Sequence, residues 1–216
     1  MNKIFSVVVS ALLSVALFSG QAKAQEVQKL FNGIDLSNWN FVLENNSVSA
    51  EKVFYIKDGL IHITGEPLGY MYTKQKYGEY HLHAEWRWPE GVASNSGIFL
   101  LIEKPENPFP NGIECQLKAG SAGDFVLLNG SDLAEYKNPE SGRPKFPVIA
   151  KDKASTEKVP GEWNCADVYC RNGVITVYIN GAFQNKGTNK IKEGYIGLQS
   201  EGKDVEFRNV TLTPLP

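Results

Sequence analysis

Apolar and polar residues alternate with a period of two along most of this chain, and no stretch of comparable length carries the 3.6-residue period of a helix. The alternation predicts strands over 53–57, 60–64, 70–73, 80–88, 97–102, 113–117, 123–128, 163–171, 174–179, 194–199 and 205–213. Turn chemistry punctuates them: Asp58-Gly59, Asn129-Gly130, Asn172-Gly173, Asn180-Gly181 and Glu201-Gly202. Short strands at this spacing, without an internal repeat or a linker, predict one antiparallel all-β sandwich. Between 131 and 161 the pattern lapses into charged residues with Pro139, Pro144, Pro147 and Pro160. A loop that long inside a domain is expected to cover one side of a sheet.

Two strands carry the chemistry. In 112–118 the apolar residues Ile113, Cys115 and Leu117 share one face, which sends Glu114, Gln116 and Lys118 to the other. In 80–88 the core set is Tyr80, Leu82, Ala84, Trp86 and Trp88, and His81, His83, Glu85 and Arg87 point away from it. One greasy and one polar face belong to a sheet packed on one side only. The polar face of 80–88 is therefore expected to border the face that bears Glu114.

The first 24 residues change the picture of where the chain works. Lys3 gives a basic start, 4–18 is almost wholly apolar, and Ala22-Lys23-Ala24 fits the small-x-small rule of a cleavage site. The apolar run falls short of the ~20 residues that span a bilayer. Residues 1–24 thus read as a signal peptide and 25–216 as the exported domain, periplasmic or secreted, with no membrane insertion. Without Lys3 and Lys23, 20 basic residues face 24 acidic ones, a formal charge of −4. That balance gives no reason to expect nucleic acid as a partner. Export permits disulfides, yet Cys115, Cys165 and Cys170 are odd in number, so at least one is unpaired within the chain. Only a bridge from Cys115 is geometrically open, and small buried hydrophobes are the other reading.

No glycine-rich phosphate loop and no Gly-x-Ser-x-Gly elbow occurs, so nucleotide chemistry and ordinary serine hydrolysis have no anchor. His81-x-His83 could present two imidazoles to a metal, but His62 is the one further histidine, and no metal or other cofactor is expected. What remains is carboxylates beside aromatic rings, the formula of a sugar site, with Tyr70, Tyr72, Phe109, Tyr136 and Trp163 as available rings.

Seven segments in order sharpen this: Leu30-Phe31-Asn32-Gly33-x-Asp35-Leu36-Ser37-x-Trp39, Asn95-Ser96-Gly97-Ile98, Glu114-x-Gln116, Gly161-Glu162-Trp163-Asn164, Ile179-Asn180-Gly181, Gly194-x-Ile196-Gly197-Leu198-Gln199 and Phe207-Arg208-Asn209-Val210. In them the chain resembles the 3-keto-disaccharide hydrolase domain family over nearly all of 25–216. The resemblance implies a concanavalin-like jelly roll of two curved antiparallel sheets, export in bacteria, and a carbohydrate or 3-keto-glycoside as the small-molecule partner. Two positions depart from the family pattern. Leu100-Leu101-Ile102 stands where members often carry an arginine, and Ser200-Glu201 where they often carry a histidine or aspartate.

A conventional glycosidase needs two carboxyl groups flanking the scissile bond. Gln116, two residues beyond Glu114, is an amide, so the strand itself holds no such pair. A 3-keto sugar asks for less, because its ketone acidifies the C2 hydrogen and the enolate expels the C1 substituent before water adds. The expected catalytic set is Glu114 as general base with Gln116 and Lys118 or Arg87 as donors to the oxyanion. The expected substrate-binding set is Tyr70, His83, Glu85, Arg87, Asn95, Trp163, Gln199 and Glu201. The rival from another class is a noncatalytic carbohydrate-binding module on the same sandwich.

Overall fold

A computed structural model describes residues 26–45, 47–89 and 91–216. The expected signal peptide lies outside the described residues. Two antiparallel sheets form, and each places alternate residues on a shared core.

The first sheet is built around β6 (Tyr80–Arg87). On one side of it run β11 (Asn164–Arg171), β12 (Val174–Ile179) and β13 (Ala182–Thr188). On its other side are β15 (Val205–Pro214), β4 (Leu60–Ile63) and β3 (Phe54–Lys57), with the short β1 (Gln28–Lys29) also paired to β15. The second sheet runs in the order β10 (Val148–Ile149), β9 (Phe125–Leu128), β8 (Gly112–Gln116), β7 (Gly97–Ile102), β14 (Tyr195–Ser200), β5 (Gly69–Thr73), β2 (Trp39–Leu43). One helical turn, α1 (Ala50–Val53), precedes β3 where the alternation suggested strand from 53.

Hairpin geometry follows the turn residues. Asn172-Gly173 and Asn180-Gly181 each place two consecutive residues at positive φ, the twist that a two-residue hairpin turn requires. The second of these turns into β13, a strand missed in the sequence because Gln184, Asn185 and Lys186 interrupt its apolar pattern.

Ile98, Leu100, Ile113, Cys115, Leu117, Phe125 and Leu127 of the second sheet meet Leu82, Ala84, Trp86, Val168, Ile175 and Phe207 of the first in one buried cluster. The three cysteines are free thiols, two of them buried. A smaller cluster of Tyr70, Phe99, Ile102, Val126 and Leu128 lies on the opposite, outer face of the second sheet. Leu101 adopts φ +53°, and at this kink Leu101 stays in the main core while Ile102 joins the outer cluster. Phe109 and Phe146 pack together against that outer cluster. The long loop thus covers one end of the second sheet, tied down by Arg143 donating to the Ser131 carbonyl at 2.7 Å.

Candidate functional site

Cross-strand pairing decides which side chains share the outer face of the second sheet. Glu114 is paired with Phe99 on β7 and Val126 on β9, both members of the outer cluster. Gln116 is paired with Gly97, and Gln199 with Tyr70. Glu201 follows Gln199 by two residues and forms an isolated bridge with Asn95. Glu114, Gln116, Tyr70, Asn95, Gln199 and Glu201 therefore come together, drawn from β8, β5, the approach to β7 and the end of β14. Lys118, just past β8, is close enough to favour the charge of Glu201.

Gly97 makes room for this arrangement. A Cβ at that position would stand 2.3 Å from Glu114 Oε1 and 2.8 Å from its Cδ, so the carboxyl occupies the space that a side chain would fill. Glycine at the entry of an otherwise apolar strand is the sequence signal for such a close approach.

Polar atoms of the face are buried without protein partners: Glu114 Oε1, Gln199 Oε1, Asn95 Oδ1 and Tyr70 Oη. Glu114 is 3 % exposed and Gln199 0 %. Unsatisfied buried groups are costly, and several clustered on one face mark a place where a ligand supplies the missing partners. All four are oxygens: the two amide oxygens accept hydrogen bonds, and the Tyr70 hydroxyl and the Glu114 carboxyl can also donate, a pattern suited to a ligand rich in hydroxyls.

Burial, and then the nearby charge of Glu201, push the Glu114 carboxyl well above the ordinary carboxylate range. Glu201 is raised by burial too, but hydrogen bonds from Asn95 and Gln199 and the Lys118 ammonium all favour its charge. Gln199 Nε2 donates to Glu201 Oε2 at 2.7 Å. The two carboxyls are thus held unequally, Glu114 well above the ordinary range and Glu201 with three contacts that favour its charge, the kind of asymmetry an acid–base pair uses. Gln116 is pinned in the turn, its Oε1 accepting from the Leu117 and Lys118 amides at 3.0 and 2.8 Å. Its NH2 is the part left to meet a substrate.

Four of the expected residues lie elsewhere. β6 belongs to the first sheet, so its polar face is the far side of the sandwich and does not border Glu114. There Arg87 pairs with Glu206, and Arg208 with Glu85 at 2.7 Å, and both guanidiniums lie over the Trp163 ring, at 4.7 and 4.0 Å from its centre. His81 Nε2 and His83 Nδ1 each hydrogen-bond to Asp167 Oδ1 at 2.8 Å. Alternation gave the correct face within β6, but which sheet the strand joins is settled by pairing with β11 and β15. Among the described residues, no group of three or more His, Cys, Asp or Glu is arranged to hold a metal ion.

A jelly-roll sandwich with paired carboxyls and unsatisfied polar atoms on one outer face defines a carbohydrate-active fold. The family is explicit in the sequence: residues 26–213 match the 3-keto-alpha-glucoside-1,2-lyase-like domain, and the chain belongs to that family. No curated protein matches it in sequence. Among solved structures, a candidate glycosyl hydrolase from Parabacteroides distasonis superposes with a TM-score of 0.64 at 20% identity, covering 88% of this chain and 94% of the other. The carbohydrate-binding module CBM66 from Bacillus subtilis gives 0.59 at 10% identity over 82% and 95% of the two chains. The Bacillus licheniformis beta-glucanase gives 0.56 at 12% identity over 91% and 100%. At these identities the likeness is one of fold, shared by enzymes and a binding module alike.

Proposed function

We propose that the protein cleaves 3-keto-glycosides, with Glu201 and Glu114 as base and acid. The observation that carries this reading is the unequal Glu114–Glu201 pair set among unpartnered polar atoms. It replaces the expectation that Glu114 is the base. A carboxyl whose pKa is driven up by burial beside a like charge favours its protonated form and is suited to donate that proton.

In the first half, the Glu201 carboxylate takes the proton from C2, which the adjacent C3 ketone has acidified. The electron pair left behind delocalises onto the ketone oxygen, where the Lys118 ammonium and the Gln116 NH2 are the available donors. The pair then returns to form the C1–C2 double bond as the C1–O bond breaks, and the leaving oxygen takes the Glu114 proton. This half is a 1,2-elimination, as the family's name describes. In the second half, the Glu114 carboxylate takes a proton from water, hydroxide bonds to C1, and Glu201 returns its proton to C2. Both carboxyls end as they began, and the net reaction is hydrolysis.

The apolar end of the face supports a small substrate. Phe109 and Phe146 pack against the outer cluster, and burial, then Tyr72 and Glu106, raise the Tyr70 hydroxyl pKa. A face blocked at one end suits a short glycoside better than a long chain. Export remains part of the proposal, resting on residues 1–24.

Incubation with matched 3-keto and unmodified glycosides, followed by sugar analysis, tests the reading. Release from the 3-keto series alone is expected. Binding without turnover in either series supports the carbohydrate-binding module instead, and cleavage of unmodified glycosides at equal rate overturns the elimination mechanism.

A further inference from the structure

Beside the carboxyl pair lies a cavity of about 490 Å³ whose charged lining residues are both lysines, Lys118 and Lys203. Asn95, which hydrogen-bonds to Glu201, and Lys118, which favours the charge of Glu201, both form part of its wall, so the cavity shares two residues with the surroundings of the proposed reacting centre. Most of the remaining lining residues, Ala93, Ser94, Ala119 and Gly202, are small.

Three chain segments build this cavity and are tied to one another. The Leu117 amide donates to the Ser96 carbonyl at 2.9 Å and the Ala119 amide to the Ser94 carbonyl at 3.0 Å. The Lys203 amide donates to Ser94 Oγ at 2.7 Å. Gly202 makes the last of these possible: it sits at φ +87°, and a Cβ there would stand 2.7 Å from Ser94 Oγ. The segments that present Lys118 and Lys203 are therefore anchored on a shared serine, although the ammonium groups themselves are exposed.

The charged groups that line the cavity are of one sign. Burial disfavours the charged form of Glu114, and Lys118 favours the charge of Glu201. Lys203 adds a second positive charge to a wall that has no carboxylate among its described lining residues. A pocket with this excess favours a ligand portion that brings one negative charge.

We infer that this cavity is the leaving-group subsite and that it selects glycosides whose aglycone carries a carboxylate. The inference rests on reading Glu114 and Glu201 as the reacting centre, since it takes the cavity beside them as the space into which the aglycone projects. Lys203 acts here as a specificity-determining residue and takes no part in bond breaking.

The test uses two isosteric 3-keto-glucosides, one with a 4-carboxyphenyl and one with a 4-carbamoylphenyl aglycone, and measures both binding and release. The carboxylate compound is expected to bind roughly three- to tenfold more tightly, as fits one partly exposed charge pair. Lys203→Gln is expected to remove that preference while leaving affinity and turnover of the carbamoyl compound within about twofold of wild type. Raising the salt concentration is expected to shrink the preference in wild type and not in the variant. Equal affinity for the two compounds, a preference that survives Lys203→Gln, or binding of neither compound overturns the inference. A lysine-dependent preference in binding with no release of either aglycone supports the subsite and overturns the proposed reaction, so the two readings fail separately.

Discussion

Glu114 leans across Gly97 on the neighbouring strand, its Oε1 only 2.3 Å from where a Cβ at 97 would stand. The strand pairing and the missing side chain together set the direction of the carboxyl. Gly97→Ala should push Glu114 out of that position and lower kcat at least tenfold, with near-native circular dichroism. Unchanged kcat would show that the carboxyl direction is immaterial.

Glu114→Gln keeps the shape of the side chain and removes the transferable proton. Turnover of 3-keto-glycosides should fall about 10²- to 10⁴-fold. Because the wild-type group is buried and holds its proton, the amide should cost little stability, and thermal unfolding is expected to shift by only a few degrees.

The pair predicts a bell-shaped pH profile for kcat/KM, with an acid limb from Glu201 and an alkaline limb from Glu114. Glu201→Gln should remove most activity and also lower the Glu114 pKa, because the charge that opposes Glu114 ionisation is gone. Carbon-13 NMR titration of the Glu114 carboxyl measures the second effect, and an unmoved titration would exclude coupling between the two groups.

The same burial makes stability depend on pH. The Glu114 pKa is raised in the folded protein above its ordinary value of 4.5, so its contribution is fully present below 4.5 and is lost as pH rises through the folded value. In that window the unfolded chain has released a proton that the native state retains, and stability falls by at most about 1.4 kcal/mol per pH unit. Denaturant melts across the window should show a decline that flattens in Glu114→Gln.

Arg87 and His83 lie on the far side of the sandwich, so Arg87→Ala and His83→Ala should leave turnover within about twofold of wild type. Arg87→Ala should instead cost about 1–3 kcal/mol in urea melts, because it strips Glu206, a buried carboxylate, of its guanidinium partner. His83 carries a raised pKa, chiefly through its hydrogen bond to Asp167, and Asp167→Asn should bring that pKa down. Proton NMR of the imidazole ring follows the change.

Much of the framework was legible in the chain. Strands 97–102 and 174–179 have the bounds read from alternation, and the inward sets of β6 and β8 pack in the main core as the period of two required. Side-chain direction within a strand is local, fixed by the pleat, and a single segment suffices to give it. β13 escaped because polar residues interrupt its pattern, and the outward turn of Ile102 escaped because the kink at Leu101 breaks the parity on which the reading depends.

The pairing of acid and base was not local in this sense. Glu114-x-Gln116 offered one carboxyl where two are useful, and Glu201 stood at a departure from the family pattern as an expected substrate-binding residue. Backbone hydrogen bonds between β8, β7 and β14 bring the two carboxyls to one face, and the same kind of pairing carries β6 with Arg87, Glu85 and His83 to the other side. The sequence by itself determined most of the longer strands, the buried faces of β6 and β8, and the family. Only the tertiary structure decided which strands are neighbours, and so which charges meet, because strand order depends on hydrogen bonds between segments far apart in the chain, to which alternation along one segment is blind.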